Sequence, residues 1–209
     1  MADTTTGQRP LRLYLSPIRV DSGFRLTPNS YSGTTHVEQN VAFGPRPDSG
    51  VRLAPVVGVP VRAIDTWNAV QFVSPPIPAA LELSALFSGH LDFITTRRAF
   101  DFQISLYELT PDSNYVLLST YVSHWSDAGD SSVTLLQSTT RRSLDFRSDN
   151  PARSEIHNGS RLVVLITIVK PAYHNVADDV GRMEIADTMQ PLTVGWYGES
   201  YIQLQIHNR

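Results

Sequence analysis

Residues 100–106 alternate in polarity. Phe100, Phe102, Ile104 and Leu106 are apolar, and Asp101, Gln103 and Ser105 stand between them. A period of two puts one set against a core and the other in water, so the segment predicts a half-buried β-strand. The run continues through Tyr107-Glu108-Leu109 into Thr110-Pro111-Asp112-Ser113-Asn114. Proline presets φ for the first central position of a turn, and Asp or Asn can bond the local backbone. Residues 115–121, Tyr-Val-Leu-Leu-Ser-Thr-Tyr, form a second strand-like run. The two runs predict a hairpin.

Other segments repeat this reading. Residues 11–15 alternate Leu11, Leu13 and Leu15 against Arg12 and Tyr14. Strands are expected at 67–73, 81–87, 91–94, 143–147, 162–169, 192–197 and 201–206. A kink at Ser74-Pro75-Pro76-Ile77-Pro78 follows the first of them. Residues 162–169 are apolar almost without interruption, which predicts a central strand covered on both faces. Residues 201–206 alternate and predict a half-exposed one. Asn158-Gly159 predicts a tight turn. Between 16 and 60 the chain is rich in Gly, Pro, Ser, Asn and Asp, and long loops covering another surface are expected there. Only 176–189 has room for a short helix or helical turn. Many short strands with Pro/Gly turns and little helix predict an all-β, antiparallel jelly-roll β-sandwich. The expected organisation is a disordered tail at 1–9 and one domain over 10–209.

Composition removes several function classes. The chain has 209 residues, enough for a full core in a single domain, and 41% of them are hydrophobic. The formal net charge is −3, and sixteen of the seventeen basic residues are scattered arginines, so no nucleic-acid footprint is present. No run reaches the roughly 18 apolar residues of a transmembrane helix, so no membrane partner is expected. Residues 1–9 carry no apolar signal-peptide core. Cysteine is absent, which excludes disulfides, thiolate nucleophiles and cysteine–metal sites and leaves the compartment open.

Candidate chemistry is sparse. An α/β-hydrolase nucleophile sits in Gly-x-Ser-x-Gly at a strand-to-helix turn. Ser200, in Gly198-Glu199-Ser200-Tyr201, lacks the second glycine and a following helix. No catalytic residue is expected. The six histidines, His36, His90, His124, His157, His174 and His207, fall in no zinc-binding spacing. Loops bearing Asp178 and Asp179 beside His174, or Asp127 and Asp130, offer carboxylates to a calcium ion, but without a recognised spacing. A solvated loop is the simpler reading of both, so no metal and no cofactor is expected. Trp67, Trp125 and Trp196 are candidates for stacking on sugar rings, although strand-borne tryptophans more often belong to a core. Trp125, in Ser123-His124-Trp125-Ser126-Asp127, reads as the most loop-like and exposed of them.

Taken in order, several segments resemble the C-terminal domain of the X-Pro dipeptidyl-peptidase and cocaine-esterase (CocE/NonD) class of serine hydrolases. These are Val70-Gln71-Phe72-Val73-Ser74-Pro75-Pro76, Leu81-Glu82-Leu83-Ser84-Ala85-Leu86-Phe87, the stretch from Phe100 to Asp112, and Gly159-Ser160-Arg161-Leu162-Val163-Val164. The resemblance implies a jelly-roll sandwich of the galactose-binding-like kind. It implies an accessory role, packed on an α/β-hydrolase catalytic domain in cis or as a separate chain. The triad would lie in that other domain. Ser113 stands where the family hairpin prefers glycine, so Asn114 is expected to take the left-handed conformation. Phe43, set among turn formers, and Trp125 are the residues expected to face a partner or pocket, and exposed apolar loops would also permit a homo-oligomer. Two alternatives are a free-standing carbohydrate-binding module, which needs aromatics aligned on one exposed face, and a coat subunit, which needs a basic arm where this chain has only Arg9 and Arg12.

Overall fold

A computed structural model describes residues 8–41, 54–83, 87–96, 99–126, 140–148, 154–169 and 192–208. The described residues form fourteen strands: β1 Gln8–Val20, β2 Gly23–Thr27, β3 His36–Val41, β4 Pro60–Val61, β5 Ala69–Val73, β6 Leu81–Leu83, β7 Ser88–Thr95, β8 Ala99–Leu109, β9 Tyr115–Ser126, β10 Arg142–Arg147, β11 Ser154–Ile156, β12 Arg161–Val169, β13 Leu192–Tyr197 and β14 Tyr201–Asn208. No helix occurs among the described residues.

The strands make a β-sandwich whose two leaves share one continuous path of hydrogen bonds. One leaf runs β3-β13-β7-β14-β1 and the other β2-β5-β12-β8-β9-β4. Strand β1 joins them. Its first half pairs with β14 and its second half with β2, and the β1–β2 register shifts between Leu15 and Arg19. All pairings of named strands are antiparallel except β2 with β5.

The main core lies between the leaves. Phe102, Ile104, Leu106, Leu162, Val164, Ile166 and Phe72 from one leaf meet Leu13, Val37, Leu91, Phe93, Val194, Trp196 and Ile202 from the other. The alternation of 100–106 is therefore expressed as read, with all four apolar residues buried. A second, smaller cluster covers part of the far face of β8 and β12: Val73, Tyr107, Leu117, Val163 and Leu165, with Ile64 and Val20 against it. This makes β12 the strand buried on both faces, as its unbroken apolar run predicts. It also corrects the expectation of a wet outer face on β8, because Ser105 and Tyr107 are buried there.

Three other expectations change. Region 16–60 holds the end of β1, all of β2 and β3, and the start of β4. These strands escape a hydrophobic scan because Gln39 occupies an inward position between Val37 and Val41 and because β1 changes partner midway. Trp125 is not in a loop. It lies on β9, 8% exposed, with its ring 5.1 Å from Phe93 and 5.3 Å from Phe100. In the β8–β9 turn the left-handed residue is Ser113 (φ 61°), not Asn114. Thr110 explains the choice: its carbonyl accepts from Ser113 N at 2.9 Å and its hydroxyl accepts from Asn114 N at 3.1 Å, so serine is clamped without needing a glycine. Asn158-Gly159 is a turn as predicted, with Gly159 at φ 81°. The tail residues 1–7, Phe43, Asp127, Asp130, His174, Asp178, Asp179 and segment 176–189 lie outside the described residues.

Candidate functional site

Three polar clusters stand out. The first surrounds Gln39. Its position on β3 points inward, where an amide must find partners. Its Nε2 donates to Asn68 O at 2.7 Å and Ile166 O at 3.2 Å, and its Oε1 accepts from Trp196 Nε1 at 2.8 Å. The side chain thus ties the leaf containing β3 and β13 to the leaf containing β5 and β12. It also holds Asn68, a non-glycine residue at φ 52°. Such conformations persist only where the surroundings fix them.

Beside this tie lies an open cleft of about 520 Å³ between the β1–β2 turn, β3 and the start of β5. Arg19, Glu38, Asn40, Trp67, Asn68 and Gln71 line it. Arg19 is held over the Phe24 ring, 5.0 Å from its centroid, and Glu38 Oε1 accepts from Asn40 Nδ2 at 2.8 Å. Gly23 allows the β1–β2 turn to lie on β5, since a Cβ there would strike the backbone of Gln71. Gln71 is 7% exposed, and its Nε2 has no hydrogen-bond partner.

The second cluster contains Ser200, His90 and two aspartates. His90 Nδ1 lies 2.7 Å from Asp145 Oδ1, and His90 Nε2 lies 3.4 Å from Asp92 Oδ1. Arg141 joins Asp92 at 2.6 Å and Glu199 at 3.1 Å. Asp92 holds the Arg141 guanidinium more firmly protonated, chiefly through their hydrogen bond. The composition looks like a hydrolytic triad, but the geometry does not. Ser200 is 0% exposed, its hydroxyl donates to Asp92 O at 3.0 Å, and it accepts from Asp92 N at 2.9 Å. A nucleophile needs its oxygen open to substrate and bonded to a base. Ser200 instead fastens the β13–β14 turn to β7.

The third cluster is a knot at the Asn158-Gly159 turn. Glu108, 2% exposed, accepts through Oε1 from His157 N (2.9 Å), His157 Nδ1 (2.9 Å) and Ser160 Oγ (2.7 Å). The hydrogen bond to Glu108 raises the pKa of His157 above its ordinary value. The three contacts converge on one carboxylate oxygen and fasten the turn to β8.

The tryptophans do not align. Trp125 and Trp196 belong to the core, and Trp67 alone borders the cleft. The half-buried pair Tyr14 and Tyr201 meets edge-on at 62°, and Arg12 already covers the Tyr201 ring at 4.1 Å. No group of three or more potential metal ligands occurs among the described residues. No helix among them is long and apolar enough to cross a membrane. The sequence reading missed Arg19, Glu38, Asn68 and Gln71. The one local signal was Gln71, an amide inside the apolar run Ala69-Val70-Gln71-Phe72-Val73.

These features define, among the described residues, an all-β sandwich with structurally committed polar clusters and a polar cleft beside Gln39. No family model and no curated protein matches the sequence. Solved structures do match its fold. An α-amino acid ester hydrolase aligns with a TM-score of 0.65 and 17% identity over 94% of this chain and 36% of that one. A CocE/NonD family hydrolase from Staphylococcus aureus aligns at 0.62 and 12% identity, over 99% and 38%. An aminopeptidase from a marine sediment archaeon, a Thaumarchaeota archaeon, aligns at 0.59 and 11%, over 96% and 37%. At such identities the likeness establishes the fold. The chain spans little more than a third of the length of these structures.

Proposed function

We propose that this chain is a non-catalytic β-sandwich domain of an X-Pro dipeptidyl-peptidase or CocE-like serine hydrolase, wound as a jelly roll and packed against an α/β-hydrolase catalytic domain. One observation carries the reading. Nearly the whole chain superposes on about a third of hydrolases of this kind, and the remaining two thirds of those chains have no counterpart here. The buried, backbone-bonded Ser200 supports the non-catalytic part.

Two measurements test it. The chain alone should not turn over p-nitrophenyl esters or X-Pro anilides; turnover that survives repurification and is blocked by a serine-directed phosphonate would refute the non-catalytic role. The protein recovered from its native cells with an antibody to this domain should carry α/β-hydrolase peptides, in the same polypeptide or in stable association. Recovery as a 23.2 kDa species with no hydrolase peptides would refute the partnership.

A further inference from the structure

We propose that the open edge of β9 docks a second copy of this chain, the two β9 strands pairing antiparallel about a two-fold axis at Val122. The proposal does not rest on the hydrolase reading. It begins with how the edges of the sheet are finished. An edge strand offers unpaired N–H and C=O groups to any other strand, and native proteins blunt it by shortness, charge or proline. Among the described residues, β3, β4, β10 and β11 each pair with a single neighbour. They are short, at six, two, six and three residues. Each also carries a blunting residue: Glu38 on β3, Pro60 on β4, Arg142, Asp145 and Arg147 on β10, and Glu155 on β11.

Strand β9 departs from this pattern. It is twelve residues long. Strand β4 covers it only at Tyr115 and Val116, and Val57 bridges to Leu117. From Thr120 to Trp125 it pairs with β8 alone among the described residues. This stretch, Thr120-Tyr121-Val122-Ser123-His124-Trp125, has no Lys, Arg, Asp, Glu, Pro or Gly. Half of its backbone N–H and C=O groups point away from β8, because ladder bonds alternate sides along an antiparallel strand. Only another extended backbone matches such a row, so the partner is a β-strand.

The side chains select β9 itself and set the register. Thr120 to His124 are half-buried or exposed, and buried Ser119 and Trp125 bound them, so the accessible stretch is centred on Val122. Val122 is 64% exposed, more than any other large hydrophobic residue described. An antiparallel copy centred there sets the two valines against each other, each His124 against the second copy's Thr120, and each Tyr121 against the second copy's Ser123. His124 keeps its pair with Asp101 at 2.6 Å, and no like charges are opposed. Moving the axis one residue either way sets each valine against His124 or Thr120 instead. A pair of short strands buries little area, so the association is weak.

Sedimentation velocity of the full chain from about 10 μM to 1 mM tests this, with a dissociation constant on the order of 100 μM expected. Val122→Lys places two ammonium groups face to face at the axis and should weaken the dimer at least about tenfold. Its melting temperature should not change, because the side chain is exposed. The chain has no cysteine, so an introduced one reports only its own partner. Residues opposed across antiparallel strands have Cβ atoms about 4.5–5.5 Å apart, close enough for a disulfide with little movement. Val122→Cys should therefore link two chains under mild oxidation. Thr120→Cys should not link to itself, its two copies lying about 14 Å apart along the strands. It should link to His124→Cys in an equimolar mixture. A monomer at about 1 mM overturns the proposal. So does a dimer that Val122→Lys leaves intact, or linking at position 120 as fast as at 122. The cysteine variants decide the matter if Val122→Lys does not fold.

Discussion

The two faces of the ladder β5–β12–β8–β9 are built from the same strands and behave differently. The inner face is mainly apolar, from Phe72 through Leu162, Val164 and Ile166 to Phe102, Ile104 and Leu106, with buried Glu108 beside Leu162 and buried Ser119 beside Leu106. The outer face is graded. At the hairpin end Val73, Val163, Tyr107 and Leu117 stand in one cross-strand row and are all buried. One row on, Gln71, Leu165, Ser105 and Thr120 mix polar and apolar groups. The third row, Ala69, Thr167, Gln103 and Val122, ends with Val122 at 64% exposure. The middle row is where the dry and wet regimes meet, and there an amide is buried without a partner. Position on one face of one ladder thus decides whether a polar side chain is solvated, satisfied or stranded.

Substitutions along these faces can break or sharpen the contrast, read by urea unfolding unless stated. Phe102→Ala, on the inner face, should cost about 3–5 kcal/mol through the cavity it leaves. Leu165→Ala, in the smaller outer cluster, should cost about 2–3 kcal/mol; a value equal to that of Phe102 would make the outer cluster a full second core. Ser160→Ala removes one of the three donors to the buried Glu108 and should cost about 1 kcal/mol.

The His157–Glu108 pair predicts a pH effect. The folded-state pKa of His157 is raised, so its contribution is complete below the unfolded value of about 6.5 and is lost as pH rises through the folded value. The melting temperature of the native chain relative to His157→Gln should therefore fall on going from mildly acidic to mildly alkaline buffer. A difference that grows with pH would mean the pair does not form. With its side chain 67% exposed, the histidine makes this a small effect. Smallest of all, Gln103→Ala in the wet row should stay within about 0.5 kcal/mol.

The inner face was legible wherever its strands alternate or are continuously apolar. The hairpin, β12, β13 and β14 were all readable for that reason, and the Asn158-Gly159 turn was readable from its residue types. Trp125 was misread because the Ser, His and Asp around it resemble a loop in sequence, although β9 runs on to Ser126 and His124 is the outward neighbour of the buried ring. Strand β3 was hidden by Gln39, whose partners lie 29, 127 and 157 positions away. The cleft was invisible for the same reason. Arg19, Glu38 and Gln71 come from three separate strands, and no local spacing relates them. Nor could spacing show that Ser200 is spoken for by Asp92, 108 residues earlier.

The division of β1 between both leaves has a consequence in time. Its first half pairs with β14, so that Arg12 meets Gln203 across 191 positions. Pairing across so long a loop carries a large closure entropy, and chains dominated by such contacts fold slowly. During synthesis β1 emerges before β14 and must wait for the intervening strands before that edge is covered. Its second half meets β2 at once, across a two-residue turn. The strand is therefore half committed early and half exposed late, and the waiting half is the segment that a chaperone or a misdirected neighbouring edge would meet first.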